Sequence, residues 1–207
     1  MPNWCQNILY ITPLTVEADA LLKSALEKRE LLNTLVPRPV ELNDTVADFL
    51  SPERLRELAQ QGESGFHDNG SRHVSAEERD RRLALIDKYG HDNWYDWNCA
   101  NWGTKWEADL TSHRPTNHGE PSEYATVICF DTAWCPPIAM LANLDRSQWK
   151  FALYYWEPCC WFAGCYDSEV GEKEYANYAS IDELEEDAPL TAAAFDCREV
   201  MAEWEGE

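Results

Sequence analysis

Positively charged residues are scarce in this 207-residue chain. Lysine and arginine number 17 against 38 aspartates and glutamates, so the formal net charge at pH 7 is −21. A protein that binds DNA or RNA phosphates, or an anionic membrane surface, needs many cationic side chains. The composition therefore argues against direct nucleic-acid binding and against membrane association. It favours a basic protein partner, a small ligand, or a charge that only confers solubility.

Long hydrophobic runs are also missing. The first residues, MPNWCQNILYIT, contain no basic stretch followed by an apolar run and a small-residue cleavage site, so we expect no secretory signal peptide. No apolar run reaches the length of a membrane span. Eight cysteines without a secretory signal are typical of reduced thiols in a cytosol. We therefore expect the protein in the cytoplasm of its host cell.

The sequence also lacks common catalytic motifs. The patterns HExxH, GxSxG and GxxxxGK[ST] do not occur, and CCWFAGC at 159–165 lacks the paired CxxC spacing of zinc or redox sites. A nucleophilic pair of Cys135 with His113 would need a spatial contact that sequence does not reveal. We therefore predict no catalytic residues, no metal and no cofactor, and we favour a protein that is not an enzyme.

Apolar periodicity predicts an α+β fold. Helices are predicted at 17–33 and from 136 to about 145, and residues 44–92 resemble an insertion of short helices. Ser51 with Pro52, and Ser75 with Glu78, provide helix-capping signals in that insertion, and Gly90 ends its last helix. Strands are predicted at 4–12, 101–110, 125–134, 149–157 and 160–167. This order predicts helices on one face of an antiparallel sheet.

Acidic residues concentrate at the C-terminus. The last 42 residues hold 14 acidic and 2 basic side chains, and Ser180 with Glu183 forms a capping box. After Pro189, apolar residues recur at helical spacing, which predicts a docked acidic helix. The residues of this stripe are Leu190, Ala194, Cys197, Met201 and Trp204. We therefore predict a domain at 1–170 and an acidic helical extension at 171–207.

Tryptophans concentrate in NWYDWNCANWGTKW, at 93–106. If 101–110 is a strand paired with 125–134, Trp102, Trp106 and Trp134 should be mostly buried near one another. One interpretation is a tryptophan-rich core, the commoner role of aromatic stripes. The other is a ligand-binding or catalytic pocket. Its predicted lining is Trp102, Lys105, Trp106, Asp131, Thr132 and Trp134.

Five segments carry a family resemblance. They are MPNWCQNILYI, LVPRPVEL, NWYDWNCANWGTKW, ICFDTAWCPP and EPCCWFAGCY. Together they resemble the YubB ferredoxin-like domain family, which comprises plasmid and phage proteins whose biochemical activity is not established. The resemblance covers about residues 1–170 and implies a ferredoxin-like split β-α-β antiparallel sheet, to which the helical insertion and the acidic C-terminal helix are additions. It implies no iron–sulfur cluster, because the name describes a topology.

These observations lead to a functional hypothesis. The resemblance and the charge suggest a mobile-element accessory protein that binds a basic host or element protein. Patterned carboxylates can occupy a groove that normally holds nucleic-acid phosphates, so a specific form of this hypothesis is an inhibitor that mimics nucleic acid. The predicted partner-binding residues are Asp182, Glu183, Glu185, Glu186 and Asp187. The competing hypothesis is the small-ligand or catalytic pocket around the tryptophans.

Overall fold

The computed structural model describes residues 3–47, 50–62, 65–66, 73–116 and 124–205. The chain forms two compact units, one of Met1–Val36 with Trp102–Glu207 and one of Pro37–Asn101. The predicted insertion at 44–92 falls inside the second unit, which begins several residues earlier and ends several residues later. The predicted α+β class is confirmed by a six-stranded antiparallel sheet together with helices. In the described part of the chain, no helix combines the length and apolar character needed to cross a bilayer.

Strands and helices are interspersed along the described residues. The strands are β1 (Trp4–Pro13), β2 (Gly65–Phe66), β3 (His73–Val74), β4 (Asp109–Pro115), β5 (Thr126–Ala133), β6 (Trp149–Glu157), β7 (Phe162–Asp167) and β8 (Gly171–Asn177). The helices are α1 (Val16–Lys28), α2 (Leu31–Leu35), α3 (Pro52–Gln61), α4 (Ala76–Tyr89), α5 (Trp94–Asn101), α6 (Ile138–Ala142), α7 (Ile181–Asp187), α8 (Pro189–Ala194) and α9 (Cys197–Glu205). A short 3₁₀ turn at Val40–Leu42 precedes α3.

The large sheet belongs to the first unit, and β1 lies near its middle. The strand order is β4-β5-β1-β6-β7-β8, and every neighbouring pair is antiparallel. Ile8 on β1 is opposite Cys129 on β5 and Tyr154 on β6. Consequently β1 and β4 are parallel to each other, with β5 between them. In the same way β5 and β6 are parallel to each other, with β1 between them.

The first face of the sheet carries the main core. Alternate residues of the central strands point to this face and are fully buried, because side chains alternate along a strand. They include Leu9, Ile11, Ile128, Phe130, Phe151 and Leu153. Helix α1 contacts β1 and buries Ala18, Leu22 and Ala25, which lie along one side of the helix. Burial of such apolar area contributes about 25 cal/mol per Å² to folding.

The predicted helix at 17–33 is divided in two. Helix α1 ends at Arg29, whose backbone adopts the left-handed conformation with φ 57°, and α2 begins two residues later. The carboxylate of Glu107 accepts hydrogen bonds from the backbone N–H groups of Leu32 and Asn33, at 2.6 and 2.9 Å. Glu107 thus satisfies donors at the start of α2 that have no partner within the helix.

The predicted strand at 101–110 is wrong for most of its length. Helix α5 extends to Asn101, and residues 102–108 are irregular before β4 begins at Asp109. Gly103 has φ 86°, and a Cβ there would lie 3.1 Å from the carbonyl oxygen of Pro136. This segment forms hydrogen bonds with residues outside the sheet. For example, the indole Nε1 of Trp102 donates to the Val36 carbonyl at 2.8 Å.

The C-terminal segment covers part of the second face of the sheet. Residues 171–177 form strand β8 rather than a helix, so the predicted helical extension at 171–207 is wrong in its first part. The single predicted helix after Pro189 is also broken, because Asp196 has φ 50° between α8 and α9. These helices and the sheet share a cluster of buried residues, namely Trp156, Ala163, Ala176, Tyr178, Leu184, Ala188, Ala192 and Cys197. The side chain of Trp204, part of the predicted stripe, lies outside the described residues.

The second unit is built mainly from α3 and α4. The predicted caps are confirmed: the hydroxyl of Ser51 accepts from the backbone N–H of Arg54, and that of Ser75 accepts from Glu78. Gly90 ends α4 in the left-handed conformation, as predicted. The apolar cluster consists of Leu50, Leu55, Val74 and Ile86, with Leu83 packed against it.

Candidate functional site

Four partly exposed tryptophans border one end of the large sheet. Trp4 begins β1, Trp106 precedes β4, Trp134 follows β5, and Trp161 lies in the turn between β6 and β7. Their exposed fractions are 43%, 39%, 46% and 42%. We call these four residues the tryptophan rim. Tryptophan is enriched at the energetic centres of protein interfaces, so this group of exposed rings is a candidate recognition surface.

The topology brings the rim residues to the same end of the sheet. The rings of Trp4 and Trp106 lie 6.4 Å apart between centroids, tilted by 45°. The backbone N–H of Trp134 donates to the carbonyl of Asn3 at 3.0 Å. The side-chain amide of Asn3 in turn contacts the Cys160 thiol at 3.2 Å, immediately before the fourth rim residue.

Two rim residues have an unfavourable backbone conformation. Trp134 has φ 71° and Trp161 has φ 60°, in the left-handed region that bulky residues rarely adopt. Such conformations cost on the order of 1–3 kcal/mol each and concentrate at functional sites. The Trp161 ring packs against that of Tyr178, with the centroids 5.5 Å apart, and offsets part of this cost. The two strained positions support the choice of the rim as the candidate site.

A row of polar side chains crosses the second face next to the rim. Gln6 on β1 is opposite Asp131 on β5, which is opposite Asp109 on β4, so the three point to the same face. Trp4 lies two residues from Gln6 and therefore also points to this face. We call Asp109 and Asp131 the acidic pair. Burial, reinforced by the charge of Asp109, raises the pKa of Asp131 above its ordinary value.

The chemistry of this corner suits a cationic group. The ammonium of Lys105 already lies 4.5 Å from the centroid of the Trp106 ring, in a cation–π contact. Aromatic faces attract cations, and two neighbouring carboxylates are relieved of mutual repulsion when a cation approaches. Trp4 and Trp106 supply the apolar area, and the acidic pair supplies the charge. The corner can therefore hold a guanidinium or ammonium group.

The six residues of the predicted ligand pocket do not form one pocket. Trp102 is only 2% exposed, and Thr132 is fully buried on the first face, where its hydroxyl accepts from Asn7 Nδ2 at 2.9 Å. The prediction that Trp102, Trp106 and Trp134 are all mostly buried is wrong. The irregular segment at 102–108 separates the first two, and the positive φ of Trp134 directs the chain away from strand geometry. Lys105, Trp106, Asp131 and Trp134 lie in or beside the rim and the acidic pair.

The predicted partner-binding acids at the C-terminus are partly engaged within the protein. Arg198 forms ion pairs with Asp182 at 2.6 Å and with Glu185 at 2.7 Å. Hydrogen bonding to Arg198 lowers the pKa of Glu185. The Ser180 hydroxyl accepts from the backbone N–H of Glu183 at 3.3 Å, which confirms the cap, whereas the Glu183 carboxylate accepts from the N–H of Ala179 at 2.7 Å, one residue before the N-cap. Glu186 and Asp187, the other two predicted residues, lie at the end of α7.

Other candidate chemistry finds little support. His113 is opposite Ile128, about 16 Å along β5 from its end at Ala133, so it does not pair with Cys135 just beyond that end. Across the described ranges, no group of three or more histidine, cysteine or acidic side chains is arranged to hold a metal ion.

Sequence reasoning missed Trp4 and Trp161 as site residues. Both lie in segments that carry the family resemblance, NWCQN and CCWFAG. From the sequence, Trp4 is predicted only to begin a strand. Because side chains alternate along that strand, Trp4 lies on the face opposite to the buried Cys5 and Leu9. A tryptophan at the first position of an alternating strand was the signal that could have found it.

Comparisons with known proteins give one distant structural similarity. No protein-family model matches the chain, and no curated protein matches it. The crystal structure of a protein api92 from Yersinia pseudotuberculosis, described with the family DUF1281, aligns with 15% identity and a TM-score of 0.40. The alignment covers 87% of this chain and 100% of that one. A similarity of this size transfers neither a detailed fold nor a function.

Proposed function

We propose that the protein is a non-enzymatic module that binds a basic segment of a partner protein through the tryptophan rim and the acidic pair. The observation that carries this proposal is the exposed Trp4–Trp106 pair beside Asp109 and Asp131. The net charge of −21 supports the same class of partner, because long-range attraction accelerates encounter with a basic surface.

The expected energetics follow from the site. A cation placed over an exposed tryptophan ring is stabilised by about 0.5–1 kcal/mol, and by more when water is excluded. A bound cation favours the ionised form of Asp131, so binding lowers its raised pKa. Affinity should accordingly increase as the pH rises through the pKa of Asp131, and it should decrease with ionic strength because the charges are near the surface.

We also propose the finer fold and origin implied by the family resemblance. The order β4-β5-β1-β6, with helices between β1 and β4 and between β5 and β6, supports a ferredoxin-like split β-α-β arrangement. Strands β7 and β8 would then be additions at one side of that sheet. The resemblance to plasmid and phage proteins supports a role as a mobile-element accessory protein. Nucleic-acid mimicry through α7 is the alternative way to bind a basic partner.

A matched pair of double variants tests which acidic surface binds. The probe is an oligoarginine peptide, with oligoglutamate as the negative control, and affinity is measured by calorimetry at low salt. Asp109→Asn with Asp131→Asn should weaken binding about tenfold, the effect of losing two partly exposed charge contacts. Glu186→Gln with Asp187→Asn removes the same charge from α7 and should leave affinity nearly unchanged. If only the α7 variant lost affinity, recognition would belong to α7. If both variants lost affinity equally, binding would depend on net charge and not on either surface.

A second matched pair tests the tryptophans. Trp106→Ala should weaken binding of the same peptide about two- to fivefold, the effect of one exposed cation–π contact. Tyr95→Ala in the second unit removes an aromatic ring of similar exposure, 37%, and should change nothing. If Trp106→Ala binds as the unmodified protein does, the rim is not the recognition surface.

A further inference from the structure

A cavity of about 380 Å³ lies in the first unit, on the first face of the sheet and thus opposite the acidic pair. Its aromatic wall consists of Tyr155, Phe162 and Tyr175, and its polar lining includes Glu172 and the exposed Cys135. Its volume is within the range of small-molecule sites. None of the lining residues that the structure describes carries a positive charge.

The wall of the cavity depends on a glycine. Tyr155 on β6 is paired with Gly164 on β7, and a Cβ at Gly164 would lie 2.3 Å from the Tyr155 hydroxyl. The absence of a side chain there lets the Tyr155 ring lie against β7. The ring is 6.3 Å from that of Phe162, and its hydroxyl donates to Glu172 Oε1 at 3.5 Å. A buried aromatic ring is therefore linked directly to a carboxylate at the cavity mouth.

A β-bulge places that carboxylate on the cavity side. Cys165 pairs with Glu174, but the next residue, Tyr166, pairs with Glu172, so β8 has one extra residue at Lys173. Without the bulge, Glu172 and Glu174 would point to the same face. Instead Glu174 accepts from the Thr191 hydroxyl of α8 on the second face, at 2.9 Å, and Glu172 points to the first. Bulges that redirect a side chain are common beside functional sites.

A second acidic group lies behind the wall. Glu157 is fully buried and is opposite Phe162 in the β6–β7 register. Its Oε2 accepts from the backbone N–H of Cys160, but its Oε1 has no hydrogen-bond partner among the described residues. Unsatisfied buried acceptors are rare in folded proteins. Together with Glu172, this oxygen makes the surroundings of the aromatic wall favourable to positive charge.

We propose that this cavity binds a small alkylated ammonium compound, with its methylated nitrogen against Phe162 and Tyr175, which the buried Tyr155 supports from below, and with its charge balanced by Glu172. Aromatic walls with a nearby acid are a general solution for quaternary ammonium groups, because the cation is too weakly hydrated and too large for a hydrogen-bonded site. The excess of negative charge on the chain disfavours ligands that carry a phosphate beside the ammonium. The ligand class is therefore a quaternary ammonium alcohol of the choline type, not a phosphocholine.

Three probes of similar shape test the charge requirement. They are choline, its neutral isostere 3,3-dimethylbutan-1-ol, and phosphocholine, each titrated into the intact protein and followed by NMR shifts of the cavity residues. Choline should bind at least about tenfold more tightly than the neutral isostere, a difference of about 1.4 kcal/mol. Phosphocholine should bind more weakly than choline. Equal affinity of choline and the isostere, or no shift with choline at millimolar concentration, would overturn the proposal.

Matched variants locate the site. Glu172→Gln should weaken choline binding about tenfold, and Tyr175→Ala about two- to fivefold. Both side chains are exposed, so the variants should remain folded. Glu169→Gln removes one exposed charge from the β7–β8 turn and should leave affinity unchanged. If Glu172→Gln and Glu169→Gln behave alike, the carboxylate at the bulge is not the counter-ion and the assignment fails.

The accessible thiol provides an independent measurement. Cys135 lines the cavity and is exposed, whereas Cys99 is an exposed thiol in the second unit. Choline should slow alkylation of Cys135 by a neutral maleimide, with modification quantified for each cysteine by peptide mass spectrometry, and it should not slow alkylation of Cys99. An unchanged rate at Cys135 under saturating choline would contradict binding in this cavity.

Discussion

The two faces of β1 differ in what covers them. On the first face Cys5, Asn7, Leu9 and Ile11 are buried, and on the second face Gln6, Ile8, Tyr10 and Thr12 remain partly exposed. The same ten residues thus contribute both to the core and to an accessible surface. The C-terminal helices contact β6, β7 and β8, and leave the second face of β1 and β5 to the acidic pair and the rim. Along β1 and β5, therefore, the first face belongs to the core and the second face is partly accessible to solvent.

The motif NWGTKW repeats this contrast within five residues. Trp102 is buried and donates its indole N–H to the Val36 carbonyl, whereas Trp106 is exposed and contacts the tilted ring of Trp4 and the ammonium of Lys105. Identical side chains therefore have different roles, which depend on their contacts and not on their spacing.

The largest expected effect comes from the buried tryptophan. Trp102→Ala should lower the free energy of unfolding by about 3–5 kcal/mol, because it leaves a cavity and an unpaired carbonyl. Trp106→Ala, the matched exposed position, should change it by less than about 1 kcal/mol. Urea denaturation of both variants measures the difference. Equal losses would show that the rim is part of the core, and the contrast between the faces would disappear.

A smaller effect is expected at Gly164, on the first face. Gly164→Ala should lower the free energy of unfolding by about 1–3 kcal/mol, because the added methyl group overpacks the site. Adding Tyr155→Phe should not restore stability, since the methyl group would still lie 2.5 Å from the ring carbon Cζ and 2.6 Å from the Glu174 carbonyl oxygen. Thermal unfolding of the single and double variants provides the measurement. Full rescue by Tyr155→Phe would mean that the hydroxyl alone creates the constraint.

The smallest expected effect has the opposite sign and lies on the second face. The raised pKa of Asp131 means that folding disfavours its charged form, so this residue lowers stability as the pH rises above the unfolded-state value of about 3.9. Asp131→Asn should therefore increase the free energy of unfolding at pH 7 by about 0.2–1 kcal/mol. The gain in stability should vanish in acid, where the Asp131 carboxyl is protonated in both the folded and the unfolded protein. A loss of stability at pH 7 would contradict the repulsion between Asp109 and Asp131.

Local signals predicted the regular elements well. Alternation located β1 and β6 almost to the residue, and the caps at Ser51 and Ser75 were correct because they depend on hydrogen bonds within one helical turn. The strand β8 was missed, since GEKEYAN contains a bulge that disrupts the alternation of side chains. The segment at 102–108 was assigned wrongly because its conformation depends on tertiary contacts, such as those of Gly103 with Pro136.

The candidate site was only partly predictable. Lys105, Trp106, Asp131 and Trp134 were chosen from one local motif and its expected partner strand. Their grouping with Trp4 and Trp161 depends on which strands become neighbours, and that order is set by pairing between residues far apart in sequence. The prediction for the acidic residues of α7 depends on charge density alone. Charge density does not reveal that Arg198 of α9 forms ion pairs with Asp182 and Glu185.

The central position of β1 has a consequence for synthesis on the ribosome. Both of its partner strands are encoded late: about 110 residues separate Pro13 from Thr126, which corresponds to on the order of 6–22 s of translation. During this interval the second unit, Pro37–Asn101, emerges in full and makes mainly local contacts. The nascent β1, with an apolar residue at nearly every second position, has no strand to join. It is therefore the segment that we expect chaperones to bind while the chain is being made.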